Sequence, residues 1–206
     1  MTETLKFVEI TDINDDRLLP WLDLYEMSFP PREKVLVSAF LKDLKATANG
    51  IAHNEHMVAI VNGSGEIVGL QSYTYRHNTR VAQLWYFAVA TEARNSGLGG
   101  RCHREVLRQV KELGARVAFW EVEVPEQMET RENRDLAQRR IEFYRRHGGR
   151  MLQGIDHASQ AAPHQPVTPY HLMLVPFEPM TPDEAFALAK EAYGEDVRQV
   201  GELGME

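Results

Sequence analysis

Apolar and polar positions alternate, cluster and recur along the chain in a way that lays out its elements in order. Lys6-Phe7-Val8-Glu9-Ile10 alternates and predicts a first strand. Leu18, Leu19, Leu22, Tyr25 and Met27 predict a helix that Asp12 or Asn14 can cap and that Pro30-Pro31 breaks. Leu36, Phe40, Leu41 and Leu44 line one side of a second helix over 35–46, ended by Asn49-Gly50. Three strands follow over 57–61, 66–75 and 81–89, joined by Asn62-Gly63-Ser64-Gly65 and Asn78-Thr79 as an antiparallel meander. A helix over 97–113, a strand over 117–124 stopped by Pro125, and a helix over about 134–147 come next. Two last strands, 150–155 and 171–175, flank a loop holding Pro163, Pro166 and Pro169, and 181–203 reads as one or two short acidic helices. Strands and helices mixed in this order, around a central strand–helix–strand unit, predict an α/β (α+β) fold with parallel and antiparallel pairs in one sheet.

Length and charge narrow this picture. A chain of 206 residues buries one good-sized core. The net charge of -7 argues against nucleic acid as a partner. Eight acidic and two basic residues between Glu178 and Glu206 supply nearly all of the excess, so the body is close to neutral, with basic patches near residues 94–101 and 131–150. That balance suits a small polyanion. The sequence carries no long apolar run and no leader-like start, so the expectation is a cytoplasmic protein with no membrane partner. Cys102 is the single cysteine, which excludes an internal disulfide.

The chemistry centres on Arg94-Asn95-Ser96-Gly97-Leu98-Gly99-Gly100-Arg101, between the third meander strand and a helix. A strand, a glycine turn and a helix start aim unpaired backbone N–H groups at one point, where the helix dipole and the two arginines favour an anion. Glycine at 97 and 99 lets the backbone bend and a phosphate approach. No Gly-Lys-Ser/Thr follows, so this is not a Walker loop, and the glycine spacing differs from the dinucleotide-binding fingerprint. A plain helix cap is the competing explanation.

Val89 followed at five residues by Arg-x-x-Gly-x-Gly resembles the acyl-CoA signature of the GCN5-related N-acetyltransferases, the GNAT superfamily. The order of elements over residues 6–176 is also that family's. The resemblance implies a GNAT-like mixed, mainly antiparallel sheet with a central β-α-β acyl-CoA-binding unit and flanking helices. It divides the chain into an acetyltransferase domain, 1–178, and an acidic helical extension, 179–206. It implies that acetyl-CoA is the donor, a small amine the acceptor, and direct attack of amine on thioester the reaction, with no metal. Carried over by position, Phe87, Ala88 and Val89 pair with the pantetheine amides, and Arg94, Asn95, Ser96, Gly97, Leu98, Gly99, Gly100 and Arg101 hold the pyrophosphate. Residues 137–149 resemble the family's helix ending in Tyr-x-x-x-Gly-Phe, which makes Tyr144 the donor of a proton to the leaving thiolate. The sequence departs from the pattern at Ala137, where the family often has Asn, at Gly148-Gly149 in place of Gly-Phe, and at Thr91 in place of Pro.

An alkyl ammonium must lose a proton before it attacks. Glu121 and Glu123 are the leading bases, since they alternate with Trp120, Val122 and Val124 and project to one face of a strand among apolar residues, which raises a carboxyl's affinity for a proton. The alternative is a solvated face. Tyr86 and Glu55 are weaker choices. Arg104, Arg145 and Arg146 are the choices for the 3′-phosphate. Residues 28–33 and 156–170, with His157 and His164, are expected to shape the acceptor side. His53, Glu55 and His56 lack a regular metal-ligand spacing. Cys102 reads as core packing. The acidic tail packs on the body or makes a subunit contact, which leaves a homodimer open. Two rivals stand beside the enzyme: a non-catalytic acyl-CoA-binding regulatory module of the same fold, and an unrelated nucleotide-binding protein.

Overall fold

A computed structural model of the protein describes residues 4–49, 54–94, 97–163 and 165–206. The chain forms two compact units, one of residues 1–75, 84–106 and 161–165 and one of 76–83, 107–160 and 166–206.

The first unit carries strands in the order β1 (Lys6–Glu9), β2 (Glu55–Val61), β3 (Ile67–Arg76) and β4 (Val81–Val89). β2 runs antiparallel to both neighbours, with Lys6 opposite Val61 and Val58 opposite Gln71. Helices α1 (Leu18–Ser28) and α2 (Val37–Ala48) bury Trp21, Tyr25, Phe40 and Leu44 against Met57, Ala59 and Leu70. Trp21 is fully buried and donates its indole N–H to the Val58 carbonyl at 3.0 Å. That hydrogen bond is what allows so large a side chain, with a polar edge, into the core.

The second unit includes residues 81–83 of β4. They pair in parallel with β5 (Val117–Glu123), Val81 opposite Val117 and Gln83 opposite Phe119. This is the parallel β-α-β unit read from the sequence, its helix being α3 (Leu98–Glu112). β5 continues antiparallel to β7 (Thr168–Pro176), β7 to β6 (Arg150–Ser159), and β6 to β8 (Val197–Met205). Helix α4 (Arg131–Arg146) starts on Thr130, whose hydroxyl accepts the Asn133 N–H. Helix α5 (Pro182–Tyr193) starts on a capping box of Thr181 and Glu184. The sheet is mixed and mainly antiparallel, as expected.

The C-terminal segment differs from its sequence reading. Residues 182–193 form the helix α5, but 197–205, expected as helix, is a strand. Gly194, at φ 65°, ends the helix, and Gly201 and Gly204 disfavour a new one. β6 has the matching device: Gly154 lies at φ 75°, where a Cβ would collide with the Glu202 carbonyl. Nor is the segment peripheral to its unit. Ala185, Leu188, Ala189 and Val197 are buried with Val81, Phe119, Leu152 and Leu174 in one core.

Candidate active site

In the first unit, β4 ends at Val89, and a single 3-10 turn over Thr91–Ala93 turns the chain toward α3. The Arg94 side chain folds back so that its Nε–H donates to the Val89 carbonyl at 3.1 Å. Gly97 stands at φ 78°, in the left-handed region, with no heavy atom within 4 Å of where a Cβ would be. The helix then opens, with the Arg101 N–H donating to the Gly97 carbonyl at 3.3 Å. The N–H groups of Leu98, Gly99 and Gly100 are thus those of a first helical turn, which has no acceptors within its own helix. The helix is anchored behind by Leu98 and Cys102, buried against Ile60 with Phe7, Val68, Phe87 and Val89 around them. Burial pushes the Cys102 thiol up to about 11, so it stays a neutral packing group, as its sequence position suggested. Asn95 and Ser96 lie outside the described residues.

Gly97 makes the turn left-handed, which costs a residue with a Cβ about 1–2 kcal/mol. Gly97→Ala meets no clash, so its expected effect is that backbone cost alone. A thermal melt should show a fall of roughly 2–8 °C; an unchanged melt would mean the turn is not left-handed.

The same unit ties down the stretch between α1 and α2. Tyr86 on β4 accepts the Val35 N–H at 3.0 Å and donates to the Glu33 carbonyl at 2.9 Å, while Tyr25 donates to the Val35 carbonyl at 3.0 Å. The Tyr25 and Tyr86 rings meet edge to face at 4.8 Å. Gln165 donates to the Pro31 carbonyl at 3.1 Å. Tyr86 is a strut here, and Glu55 accepts the Thr74 hydroxyl at 2.7 Å. His53 and His164 lie outside the described residues. Among the described residues no three His, Cys, Asp or Glu side chains gather as a metal site.

In the second unit, Trp120 and Tyr144 pack with ring centroids 5.0 Å apart, on β5 and α4. The Tyr144 helix face also buries Ala137 and Ile141. Desolvation pushes the Tyr144 phenol up to about 12, partly offset by the charge of Arg140, so it keeps its proton through any ordinary assay pH. Gly148 leaves α4 at φ 89°, and a Cβ on Gly149 would come within 2.9 Å of the Trp120 ring and of the Tyr144 carbonyl. The departure from Gly-Phe is thereby explained: at position 149 the Trp120 ring takes the room a side chain would need.

Glu121 and Glu123 do lie on one strand face, opposite Leu172 and Tyr170 of β7, but in different company. Glu123 is ion-paired with Arg140 of α4. Glu121 Oε1 faces His157 Nε2 at 2.7 Å, and its Oε2 accepts the Ser159 hydroxyl at 3.1 Å. His157 is buried, with Nδ1 3.0 Å from the Asp196 carbonyl oxygen. Both partners of Glu121 come from β6, two residues apart and so on one face. The strand expected over 150–155 runs on to Ser159, which takes His157 out of the loop where the sequence places it. Arg104, Arg145 and Arg146 are exposed helix positions.

The Acetyltransferase (GNAT) family model matches residues 18–149, which hold the glycine turn and Tyr144. The chain belongs to the GNAT acetyltransferase family. A GNAT-family protein from Bacteroides thetaiotaomicron matches at 24% identity with a TM-score of 0.71, over 92% of this chain and 98% of that one. A GNAT-family protein from Desulfovibrio desulfuricans matches at 17% identity and 0.57, over 84% and 99%. A Bacillus subtilis acetyltransferase solved in complex with CoA matches at 14% and 0.56, over 85% and 100%. At these identities the likeness is one of fold. No curated protein sequence matches the chain. No helix among the described residues is long and apolar enough to cross a membrane. This GNAT chain therefore has the fold of its family, and its Trp120 fills the space beside Gly149.

Proposed function

We propose that this GNAT protein transfers an acetyl group from acetyl-CoA to the nitrogen of a small amine by direct attack on the thioester. The observation that carries the reading is the left-handed Gly97 at the start of α3, with first-turn N–H groups and open space where a side chain would stand. A pyrophosphate fits such a turn, because a helix N-terminus and its dipole favour an anion and the missing Cβ leaves room for it. The residues assigned to the donor are Arg94 to Arg101 for the phosphates and the backbone of Phe87, Ala88 and Val89 for the pantetheine amides. β4 is nine residues long and its parallel ladder uses Val81 to Gln83, so those three lie beyond the ladder.

In the reaction the amine nitrogen forms a bond to the carbonyl carbon, the carbon–sulfur bond breaks, and Tyr144 gives its proton to the leaving sulfur. Glu121 takes the proton that the ammonium loses before attack, and the second proton, lost as the amide forms, replaces the one that Tyr144 gave up. We assign Glu123 a lesser part, because Arg140 already engages its carboxylate. One structural relative is a spermidine N-acetyltransferase chimera from Vibrio cholerae, at 14% identity, which supports an amine acceptor only in broad terms. We take the chain as an acetyltransferase whose acidic segment, 179–206, is packed into the second unit's core, acting in the cytoplasm and without metal.

Thermal melts test the donor site. Acetyl-CoA at a hundred times its Kd should add about 2.7 kcal/mol, a rise of roughly 5–11 °C for a chain of this size. A smaller rise with dephospho-CoA and none with ATP or NAD is expected. No rise at millimolar acetyl-CoA would reduce the glycine turn to a helix cap.

A further inference from the structure

Glu121 and His157 make an arrangement that the donor site does not require. The Asp196 carbonyl can only accept, so the 3.0 Å contact at His157 Nδ1 fixes a proton on that nitrogen. The other ring nitrogen faces a carboxylate oxygen at 2.7 Å. If neither carried a proton there, two lone pairs would oppose each other at hydrogen-bond distance. One proton must lie on that line, whether it is counted to the imidazole or to the carboxyl. The His157 side chain is wholly buried and the Glu121 side chain is 18% exposed, so the pair meets solvent through Glu121.

We propose that Glu121 and His157 act as one base: the pair takes up a single shared proton, and His157 is the positioning residue through which Glu121 does so. This rests on the N-acetyltransferase reading and names its base more closely. The observed geometry is the loaded pair. The unloaded pair takes the first proton from the substrate ammonium: the N–H bond breaks, the freed lone pair attacks the thioester, and the proton settles between Oε1 and Nε2, to leave for solvent after turnover. The second nitrogen proton, lost as the amide forms, replaces the one that Tyr144 gives to sulfur. Relief of the facing lone pairs drives the uptake. Because the two groups share the proton, neither titrates alone.

The surroundings leave the pair as the group that changes charge. Ser159 donates to Glu121 from β6, and the neutral Tyr193 ring of α5 packs 4.9 Å from the His157 ring, its phenol held well above the usual range by burial. Glu123 is neutralised by Arg140 of α4, and Asp156 of β6 by Arg198 of β8. His171 of β7, opposite Val122, is kept neutral by burial. Arg76, at the end of β3, acts on Tyr193 and is bound to Gln83.

The test has two arms on the full chain. Nuclear magnetic resonance follows the His157 ring nitrogens and the Glu121 carboxyl carbon against pH. A common midpoint is expected in the wild type, and in Glu121→Gln a His157 ring that carries one proton across the same range. The kinetic arm measures kcat/KM against pH with acetyl-CoA and a panel of alkylamines, arylalkylamines and polyamines. The acid limb should coincide with the common midpoint. In His157→Gln, whose amide donates to Glu121 and needs no added proton, the limb should move down by one pH unit or more. Separate midpoints in the wild type, or an acid limb that His157→Gln leaves in place, would overturn the pair. A common midpoint with no turnover of any amine would overturn the acetyltransferase reading and the base role built on it, so the two failures are distinct.

Discussion

A chain cut after Glu178 should lose its second unit. The cut removes α5 and β8, and with them Ala185, Leu188, Ala189 and Val197 from the core they share with Val81, Phe119, Leu152 and Leu174. Leu188 and Val197 alone are worth about 3–6 kcal/mol in burial. The partners left behind turn their apolar faces to water, and β6 loses its outer neighbour, whose pairs include Leu152 with Met205 and His157 with Val197. A protein of this size has about 5–15 kcal/mol in all, so little would remain. The expected result is an aggregating or molten product with lost near-ultraviolet circular dichroism, while the full chain melts cooperatively. A truncated protein that melts within a few degrees of the full chain would show that the segment is an appendage after all.

Tyr144→Phe should lower kcat by about 100-fold or more, the contribution of a positioned general acid, while leaving the fold in place. Phenylalanine keeps the ring that packs on Trp120 at 5.0 Å and removes only the hydroxyl. The pH profile gives a second check. The phenol is pushed up to about 12, so the proton-bearing form is fully present below that and is lost only as pH rises through it. The wild-type profile should therefore show no alkaline limb from Tyr144 between pH 6 and 10, and the variant should be slow across the whole range. Wild-type turnover in Tyr144→Phe would leave the tyrosine a core residue and move the proton donor elsewhere.

How far the sequence carried the structure depends on how local each signal was. β4 is read to the residue, because an apolar run interrupted only by Gln83, between a turn and a glycine loop, marks its own ends. The start of α3 was legible for the same reason: Gly97 is demanded by a backbone angle, and such demands are written in single residues. β8 was not legible. Arg198, Gln199, Val200, Gly201 and Glu202 are mostly exposed and show no alternation, since the strand is held by its ladder to β6 and by the close approach at Gly154. The environments of Glu121 and Glu123 were hidden too. Two carboxylates one pleat apart look alike in sequence, and what separates them is Arg140 from one helix and His157 from one strand.

The place of Val197 bears on how the protein is made. It shares a core with Val81, and a ribosome needs on the order of ten seconds to travel from one to the other. Through that interval Phe119 and Leu174 emerge in turn with part of their packing still unsynthesised. The first unit's helix–strand core, by contrast, draws Trp21, Phe40, Met57, Leu70 and Ala88 from the early part of the chain and can condense during translation. The nascent polypeptide thus carries a half-built apolar surface while synthesis continues, a natural client for a holding chaperone, and a strain poor in such help should lose yield before a test-tube melt reveals any weakness.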